Sequence, residues 1–335
     1  MRDELVTLAH GAGGKATRDL VEGLFLRELG NEVLAPLADA AIVAGAGRLA
    51  LTTDAYVVHP LEFPGGDIGE LAVNGTVNDL AMVGARPQWL TAGVVIEEGF
   101  PVASLRRIAA SMGAAARAAG VAIAAGDTKV VERGKADGLY VVTSGVGSLA
   151  DGVELGPGRV QAGDRVLLSG TLADHGMAVM VARGDLQLEA EIESDTAAVH
   201  ELAASLVTLG DGLRWMRDPT RGGLATALNE LTAAAGLTVV LDETALPVRP
   251  AVMAACEILG IDPLYVANEG KLIAVVAPDA AGAALAALRA HPLGRDAALV
   301  GVVREEREGL VLLDTALGGS RIVDMLVGDP LPRIC

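Results

Sequence analysis

Short apolar strands alternate with amphipathic helices along most of this chain, and the alternation limits the folds that it can adopt. Hydrophobic residues make up 51% of the sequence but aromatic residues only 2%, so Ala, Val and Leu must fill the cores. Small aliphatic side chains suit strands and helices that pack closely together. Because strands that alternate with helices pack as layers, we predict an α/β fold.

The length of 335 residues is sufficient for two domains of ordinary size. Segment 151–163 contains four glycines and one proline, a composition typical of a linker. We therefore predict an amino-terminal domain over 1–150, a carboxy-terminal α/β domain over 151–322, and a tail over 323–335. Pro330 and Pro332 favour an extended arm with Cys335 at its end.

The charge balance excludes several kinds of partner. The formal net charge is -17 and the sequence pI is about 4.7, so nucleic acid and anionic membranes would be repelled. No apolar run approaches the roughly 20 residues of a membrane span. Cys256 and Cys335 are the only cysteines, and the sequence begins without a secretory signal. We therefore expect free thiols and a cytoplasmic location.

Glycine-bearing turns precede two predicted helices. One is His10-Gly-Ala-Gly-Gly-Lys15, and the other is the segment 217–223, which contains Arg221 and Gly222. Backbone N–H groups at such a helix start can bind an anion, and Lys15 and Arg221 add positive charge. The alternative is that either segment is a plain flexible turn, because neither has the full Walker pattern.

Acidic residues recur at the predicted ends of strands. A strand over 49–53 ends on Asp54, and a strand over 121–125 leads into Gly126-Asp127-Thr128-Lys129. Carboxylates at the carboxyl ends of strands commonly lie at a cleft, although they also cap turns. These positions are therefore candidates for a binding site.

A predicted helix over about 68–83 has an unusually polar face. Asn74 and Asn78 are four residues apart and face the same way, with Asp79 beside them. Asparagine is a poor helix former, so we predict that these side chains bind something. Carboxylate oxygens suit Mg²⁺, which takes one or two of them together with phosphates. The predicted magnesium ligands are Asp54, Asp79 and Asp127.

The histidines and serines indicate no other type of site. The five histidines lack the spacing of a zinc site, and we interpret His175, His200 and His291 as ordinary core or surface residues. There is no Gly-x-Ser-x-Gly elbow in the sequence. Nucleophilic chemistry therefore depends on the terminal thiol of Cys335.

These segments, in this order, resemble the AIR-synthase-like (PurM-like) superfamily of ATP-dependent enzymes, and within it the HypE family of hydrogenase maturation factors, also called carbamoyl dehydratases. The resemblance covers residues 5–335, and it is specific because seven modest motifs occur in register. The matching segments are His10–Lys15, Leu51–Asp54, Val77–Leu80, Gly126–Lys129, Asp218–Gly223, Asn268–Gly270 and Pro332–Cys335.

The resemblance implies an assembly and a reaction. It implies a homodimer whose amino-terminal domains pair through their sheets, with ATP bound between the domains and near the dimer interface. A partner carbamoyltransferase, HypF, would deliver a carbamoyl group to the thiol of Cys335. ATP-dependent dehydration would then give a thiocyanate, and the cyanide would pass to iron on a HypC–HypD complex for the NiFe centre of hydrogenase.

The chemistry indicates roles for particular residues. A carbamoyl oxygen is a poor leaving group, and phosphorylation by ATP turns it into phosphate. Mg²⁺ would neutralise the transferring phosphoryl group, and Lys15 or Lys129 could stabilise its oxygens. Glu269 is the candidate base for the amide protons, with Lys129 as its ion partner or as the acid; the alternative is that Glu269 is a solvated strand-end carboxylate. The predicted nucleotide-binding residues are Lys15, Asp54, Asn78, Asp79, Asp127, Thr128, Arg221 and Gly222.

Two other members of the superfamily differ at the reactive group. Selenophosphate synthetases carry a reactive Cys or selenocysteine in the amino-terminal glycine loop, where this chain has Ala12 and no thiol. Thiamine-phosphate kinases have no use for a terminal Cys. Two alternatives stay open: a small-molecule kinase or synthetase of the superfamily with an inert tail, and a non-catalytic carrier whose thiol shuttles a group between partners.

Overall fold

The computed structural model describes residues 14–20, 22, 41–45, 47–184, 191–305, 309–326, 328 and 333–335. Its helices are α1 (Lys15–Leu20), α2 (Ile68–Met82), α3 (Val102–Ala118), α4 (Asp174–Ala182), α5 (His200–Val207), α6 (Gly223–Ala235), α7 (Pro250–Leu259) and α8 (Ala281–Ala290). Its strands are β1 (Ala41–Gly45), β2 (Gly47–Tyr56), β3 (Glu62–Phe63), β4 (Gly66–Asp67), β5 (Arg86–Glu97), β6 (Ala122–Val131), β7 (Leu139–Leu149), β8 (Arg165–Leu168), β9 (Leu213–Arg217), β10 (Thr238–Asp242), β11 (Ile273–Val276), β12 (Ala298–Arg304), β13 (Val311–Asp314) and β14 (Ser320–Ile322).

The first half forms a mixed sheet with strand order β1-β2-β7-β5-β6. Neighbouring strands are antiparallel except for β5 and β6, which run parallel. Helix α2 packs on β2, β7 and β5, and α3 packs on α2. Residues alternate between the two faces of each strand, so apolar side chains also point to the face opposite these helices. Those exposed apolar residues are Leu51, Trp89 and Val142.

The second half forms another mixed sheet, with strand order β14-β13-β10-β12-β8-β11-β9. Only β10 and β13 run parallel among the strand pairs of the described residues in this sheet. Along the interior strand β8, Val166 and Leu168 belong to one apolar cluster and Leu167 to another. The sheet is therefore buried on both faces, which explains the continuous apolar runs of β8 and β11.

The predicted α/β class is confirmed, since both halves contain mixed sheets with packed helices. Each of the two large sheets lies wholly on one side of the predicted linker, and the boundary between 150 and 151 stays a prediction. Two expected strand ends are wrong. Strand β2 continues through Asp54, which pairs with Thr143 of β7, and β6 continues through Asp127, which pairs with Gly93 of β5. Strand pairing extends both elements beyond the point where their apolar pattern stops.

The helices of the described residues include none with the length and apolar character needed to cross a membrane.

Candidate active site

Strand β2 and helix α2 together form a polar surface in the first half. Thr52, Asp54 and Tyr56 alternate along β2 on one face of the sheet. The hydroxyl of Tyr56 donates a hydrogen bond to Oδ2 of Asp54 at 2.9 Å, and Oγ1 of Thr52 donates to Oδ2 of Asp79 in α2 at 2.7 Å. A Cβ on Gly75 would lie 2.1 Å from the Tyr56 hydroxyl oxygen. The glycine therefore leaves the space in which Tyr56 reaches Asp54.

The electrostatic surroundings of Tyr56 connect this surface to the second half. Burial raises the pKa of Tyr56 well above its ordinary value, and the negative charges of Asp54, Asp79 and Glu269 raise it further. The carboxylates of Asp54 and Asp79 therefore lie close to one phenol, together with the carboxyl group of Glu269 from the second half. Charges at several ångströms act this strongly only where water is largely excluded.

Glu269 is a buried acid at the junction of the halves. Its side chain is only 2% exposed. Burial raises its pKa well above the ordinary value, Asp218 and Asp54 raise it further, and Arg221 opposes them. The alternative interpretation of Glu269 as a solvated carboxylate is therefore wrong, because the side chain is out of water. A buried carboxyl group beside two other acids holds its proton to a higher pH than a surface group does.

The neighbours of Glu269 in sequence fix its position. Asn268 is fully buried, and its Nδ2 donates hydrogen bonds to the carbonyl oxygens of Pro219 and Val266, each at 2.9 Å. Its Oδ1 accepts a hydrogen bond from the backbone N–H of Ala173 at 2.8 Å. These bonds attach the Asn268–Gly270 segment to the loop that carries Asp218 and Arg221. The two acids and the arginine are therefore held in one arrangement.

Arg221 lies in the loop that leads into α6. Gly222 caps this helix with a φ of 73°, a left-handed conformation that favours glycine. The pKa of Arg221 is raised, first by the charge of Cys335 and then by those of Asp54, Tyr56 and Glu269, while burial opposes the rise. One guanidinium group therefore interacts with the terminal residue and with acids of both halves.

The last three residues of the chain are docked in the structure. Ile334 is 3% exposed and belongs to the main apolar cluster, against which Cys335 also packs. The carbonyl of Arg333 accepts hydrogen bonds from the backbone N–H of His59 at 3.1 Å and from Nη2 of Arg183 at 2.8 Å. The guanidinium of Arg333 forms an ion pair with Asp137. Apolar burial and polar contacts together bring the terminal residue to the site.

Comparisons with known proteins agree with this geometry. The family model "AIR synthase related protein, N-terminal domain" matches residues 37–149, and the corresponding C-terminal domain model matches 161–313. The protein named carbamoyl dehydratase HypE from Bradyrhizobium diazoefficiens is 58% identical over 337 residues, which cover 100% of this chain and 97% of that protein. Its namesake from Escherichia coli is 46% identical, with coverage of 98% and 99%.

The chain belongs to the HypE family of AIR-synthase-related proteins.

Solved structures of HypE proteins have the same fold. One is described as a HypE–HypF complex, and its chain has a TM-score of 0.88 at 48% identity, over 92% of this chain and 99% of that chain. Another is HypE in complex with ATP, with a TM-score of 0.83 at 46% identity, over 99% and 100%. A thiamine monophosphate kinase complexed with AMPPCP and TMP has a TM-score of 0.69 at 19% identity, over 96% and 99%, and shares the fold alone.

Several residues predicted from the sequence lie together in the structure, and others lie elsewhere. Asp54, Asp79, Glu269, Arg221 and Cys335 are connected by the electrostatic interactions described above. The side chains of Asp127 and Thr128 lie outside the described residues. Lys129 is exposed on β6, opposite Val95 of β5. Arg221 is the cation whose charge lowers the pKa of Glu269, a role that the sequence indicated for Lys129.

The anion site expected at the first glycine turn falls largely on residues that the structure does not describe, and it stays a prediction. The turn residues 10–13 lie outside the described residues. The backbone N–H of Lys15 donates to the carbonyl of Leu326 at 3.0 Å, so this donor is already engaged. A Cβ on Gly14 would lie 2.6 Å from the same oxygen. Here the glycine allows close approach of the backbone to Leu326 in the tail.

Asn78 has a structural role in this conformation. Its Nδ2 donates to the carbonyl of Ala197 at 3.0 Å, and its Oδ1 accepts from the N–H of Val199 at 2.7 Å. Nearby, Nδ2 of Asn74 donates to Oγ1 of Thr196 at 3.3 Å. In this structure the partner of both amides is segment 196–199 of the same chain, and nucleotide binding by Asn78 stays a prediction. Helix α5 begins directly after this segment, at His200.

The predicted three-aspartate magnesium site includes Asp127, whose side chain lies outside the described ones, so the site stays a prediction. Among the described side chains, no group of three or more His, Cys, Asp or Glu residues is arranged to hold a metal ion. Asp54 and Asp79 lie near each other, since both act on Tyr56. A pair of carboxylates is sufficient for Mg²⁺ when phosphate oxygens complete its coordination.

Proposed function

We propose that this chain is an ATP-dependent dehydratase that converts an S-carbamoyl group on Cys335 into a thiocyanate, as a source of cyanide ligands for the iron of NiFe hydrogenase. The observation that carries the proposal is the docked terminus. Cys335 interacts with Arg221, whose charge also acts on Glu269. A carbamoyl group on the thiol would therefore lie beside a cation and a buried acid.

ATP is the proposed phosphoryl donor, since a HypE relative with 46% identity is described in complex with ATP. We place its phosphates near Asp54, Asp79 and Arg221, with Lys15, Asp127, Thr128 and Gly222 as further candidate contacts. Asn78 would support the site by holding segment 196–199. Bound to Asp54 and Asp79, with Asp127 as a candidate third ligand, Mg²⁺ would offset the negative charge of the phosphates.

The proposed reaction has two steps. The carbamoyl oxygen attacks the γ-phosphorus, the bond from that phosphorus to the bridging oxygen breaks, and ADP leaves. The N–H protons are then lost, the C–O bond breaks, and phosphate leaves a C≡N group on the sulfur. Glu269 takes one of the two protons and an oxygen of the departing phosphate takes the other, with Lys129 as the proposed acid that hydrogen-bonds this phosphate. Arg221 stabilises the negative charge that develops on the oxygens.

The proposed partners follow from the relatives and from the surface. A HypE relative is described in complex with HypF, and we propose HypF as the carbamoyltransferase that loads Cys335. A HypC–HypD complex would then receive the cyanide. The exposed apolar residues on the open face of the first sheet support a homodimer formed through this face, with Leu51, Trp89 and Val142 at the contact.

Mass spectrometry of the carboxy-terminal peptide tests the function. The protein is incubated with carbamoyl phosphate, ATP, Mg²⁺ and HypF. We expect Cys335 to gain a carbamoyl group and then to lose one water only when ATP is present. Cys256→Ala, which removes the buried cysteine, keeps both mass changes. Water loss that persists on protein carrying Cys335→Ala contradicts the proposal.

The alternatives give different results in the same experiment. A kinase or synthetase with an inert tail would turn over ATP on a free substrate at a rate that deletion of residues 333–335 leaves unchanged. A non-catalytic thiol carrier would function normally with Asp79→Asn, whereas the dehydratase would lose affinity for magnesium-ATP.

A further inference from the structure

His175 contacts the backbone directly before the reactive cysteine. It is the second residue of α4 and is fully buried. Its Nε2 lies 3.0 Å from the carbonyl oxygen of Ile334, the residue that precedes Cys335. The mechanism proposed above does not use this histidine, and its sequence context indicated only an ordinary core residue.

The partners of the ring determine where its proton lies. A carbonyl oxygen only accepts hydrogen bonds, so Nε2 must carry the proton and donate it to Ile334. Nδ1 then accepts from the hydroxyl of Ser194, at 2.8 Å, and the same hydroxyl oxygen accepts from the N–H of Thr196 at 3.2 Å. Burial lowers the pKa of His175 to about 4, Lys271 lowers it as well, and the bond to Ile334 opposes them. A neutral ring with a fixed tautomer results.

The orientation of the His175 ring is also fixed, which distinguishes this residue from Arg183, another residue that contacts the tail. Phe63 meets it edge to face, with centroids 5.5 Å apart and planes at 84°. Ser194 is itself bound through its N–H to the carbonyl of Pro64 at 2.8 Å. Arg183, by contrast, holds Arg333 with a long side chain that can follow a moving tail. His175 is a rigid donor aimed at one backbone carbonyl.

We infer that His175 is a positioning residue for the tethered substrate: its Nε2–H holds the Ile334 carbonyl and so aims the Cys335 side chain at the phosphoryl donor. The catalytic part of this inference rests on the proposed function. The docking of the tail by His175 does not depend on that function. Because the carbamoyl group is carried on Sγ, rotation of the preceding peptide would displace the reacting oxygen. Small displacements of a reacting atom slow a reaction strongly.

Two amide substitutions of His175 distinguish the role of Nε2 from the role of Nδ1. The amide nitrogen of Gln reaches the position of Nε2, so His175→Gln keeps a donor for Ile334. The amide of Asn reaches only the position of Nδ1, so His175→Asn keeps the contact with Ser194 and loses the one with the tail. Both variants are neutral, polar and similar in size to histidine. They therefore differ chiefly in the contact under test.

The test is the alkylation rate of Cys335 in the full-length protein with iodoacetamide, followed by mass spectrometry. Loss of one hydrogen bond should raise the population of undocked tail, so His175→Asn should react about fivefold faster than the unaltered protein. His175→Gln should react within about twofold of it, by the same reasoning. Cys256, which is 1% exposed, reports unfolding in the same sample because it stays unmodified while the fold is intact.

The outcomes are distinct. A His175→Asn variant that is alkylated at the unaltered rate, with Cys256 protected, overturns the inference. If Cys256 also reacts in that variant, Ser194→Ala decides: faster alkylation of Cys335 with Cys256 protected supports the inference, and an unaltered rate overturns it. Thiocyanate formation should be slower with His175→Asn than with His175→Gln at saturating ATP. Absence of thiocyanate from the unaltered protein would overturn the proposed function and leave the alkylation result intact.

Discussion

At the scale of single residues, the site depends on environments that change the chemistry of common side chains. A carboxyl group with an ordinary pKa is a weak base near neutral pH. Glu269 is buried among Asp218 and Asp54, which raises its pKa, while Arg221 limits the rise. A raised pKa brings a carboxylate closer in basicity to the protons that it must remove. Burial of Glu269 costs free energy. The hydrogen bonds of Asn268 hold the segment in its buried position in spite of this cost.

Substitution of Glu269 by Gln should slow single-turnover thiocyanate formation by at least about 100-fold, because general base catalysis commonly contributes that much. Carbamoylation of Cys335 should continue. Only the ionised carboxylate accepts a proton, so the rate of the unaltered protein should rise with pH as Glu269 loses its proton, and the rate of the variant should lack this rise. Glu257→Gln, at an exposed position on α7, is the matched control. A Glu269→Gln variant with an unaltered rate would refute the role.

At the scale of elements, α2 does more than cover the sheet. Asn74 and Asn78 bind segment 196–199 of the other half, and Asp79 accepts from Thr52 of β2. Gly75, between them, leaves room for the Tyr56 hydroxyl. A helix with an ordinary surface would have Ala, Glu or Lys at such positions, so these residues lower its intrinsic stability. Contacts with β2 and with the second half compensate for that loss.

Gly75→Ala separates helix propensity from the contact between helix and strand. Alanine favours the helix, but its Cβ would collide with the Tyr56 hydroxyl and displace it from Asp54. Losing a hydrogen bond to a carboxylate costs about 2 kcal/mol, so we expect a lower free energy of unfolding in urea. Gly113→Ala in α3 is the control, since its Cβ would meet only the end of the Arg117 side chain at 3.2 Å. It should stabilise by up to about 1 kcal/mol. Equal effects of both changes would exclude the proposed role of Gly75.

At the scale of the whole molecule, the first sheet presents apolar side chains on the face that its helices leave open. Leu51, Val142 and Trp89 come from the three adjacent strands β2, β7 and β5, and Trp89 is 50% exposed. Apolar residues that continue across neighbouring strands indicate a protein interface, whereas scattered ones are normal. This face suits the proposed homodimer.

Trp89→Glu should convert the dimer into a monomer, because a charge at the centre of an apolar contact is buried without a partner. Sedimentation velocity measures the change in mass. Leu317→Glu is the control, since Leu317 is fully exposed in a loop after β13 and should leave the dimer intact. A Trp89→Glu variant that sediments like the unaltered protein, or an unaltered protein that is already a monomer, would contradict this interface.

The sequence by itself determined the elements with strong local signals. The helix predicted over about 68–83 spans Ile68–Met82. The glycine-bearing segment 217–223 leads into a helix that starts at Gly223. It also indicated Asp54, Glu269 and Cys335 as residues that carry chemistry, because carboxylates and a terminal thiol stand out by type and place. Such signals act within a few residues, so they can be found without a fold.

Only the tertiary structure decided which of these residues meet and what holds them. Strand pairing extends β2 past Asp54. The side-chain amides of Asn74 and Asn78 on α2 bind residues that lie more than a hundred positions away in the sequence. His175 and Ile334 are 159 positions apart, and nothing near either residue in the sequence indicates their contact. Contacts of this kind arise when packed sheets bring together segments that are distant in sequence. A local sequence pattern therefore does not predict which segments meet.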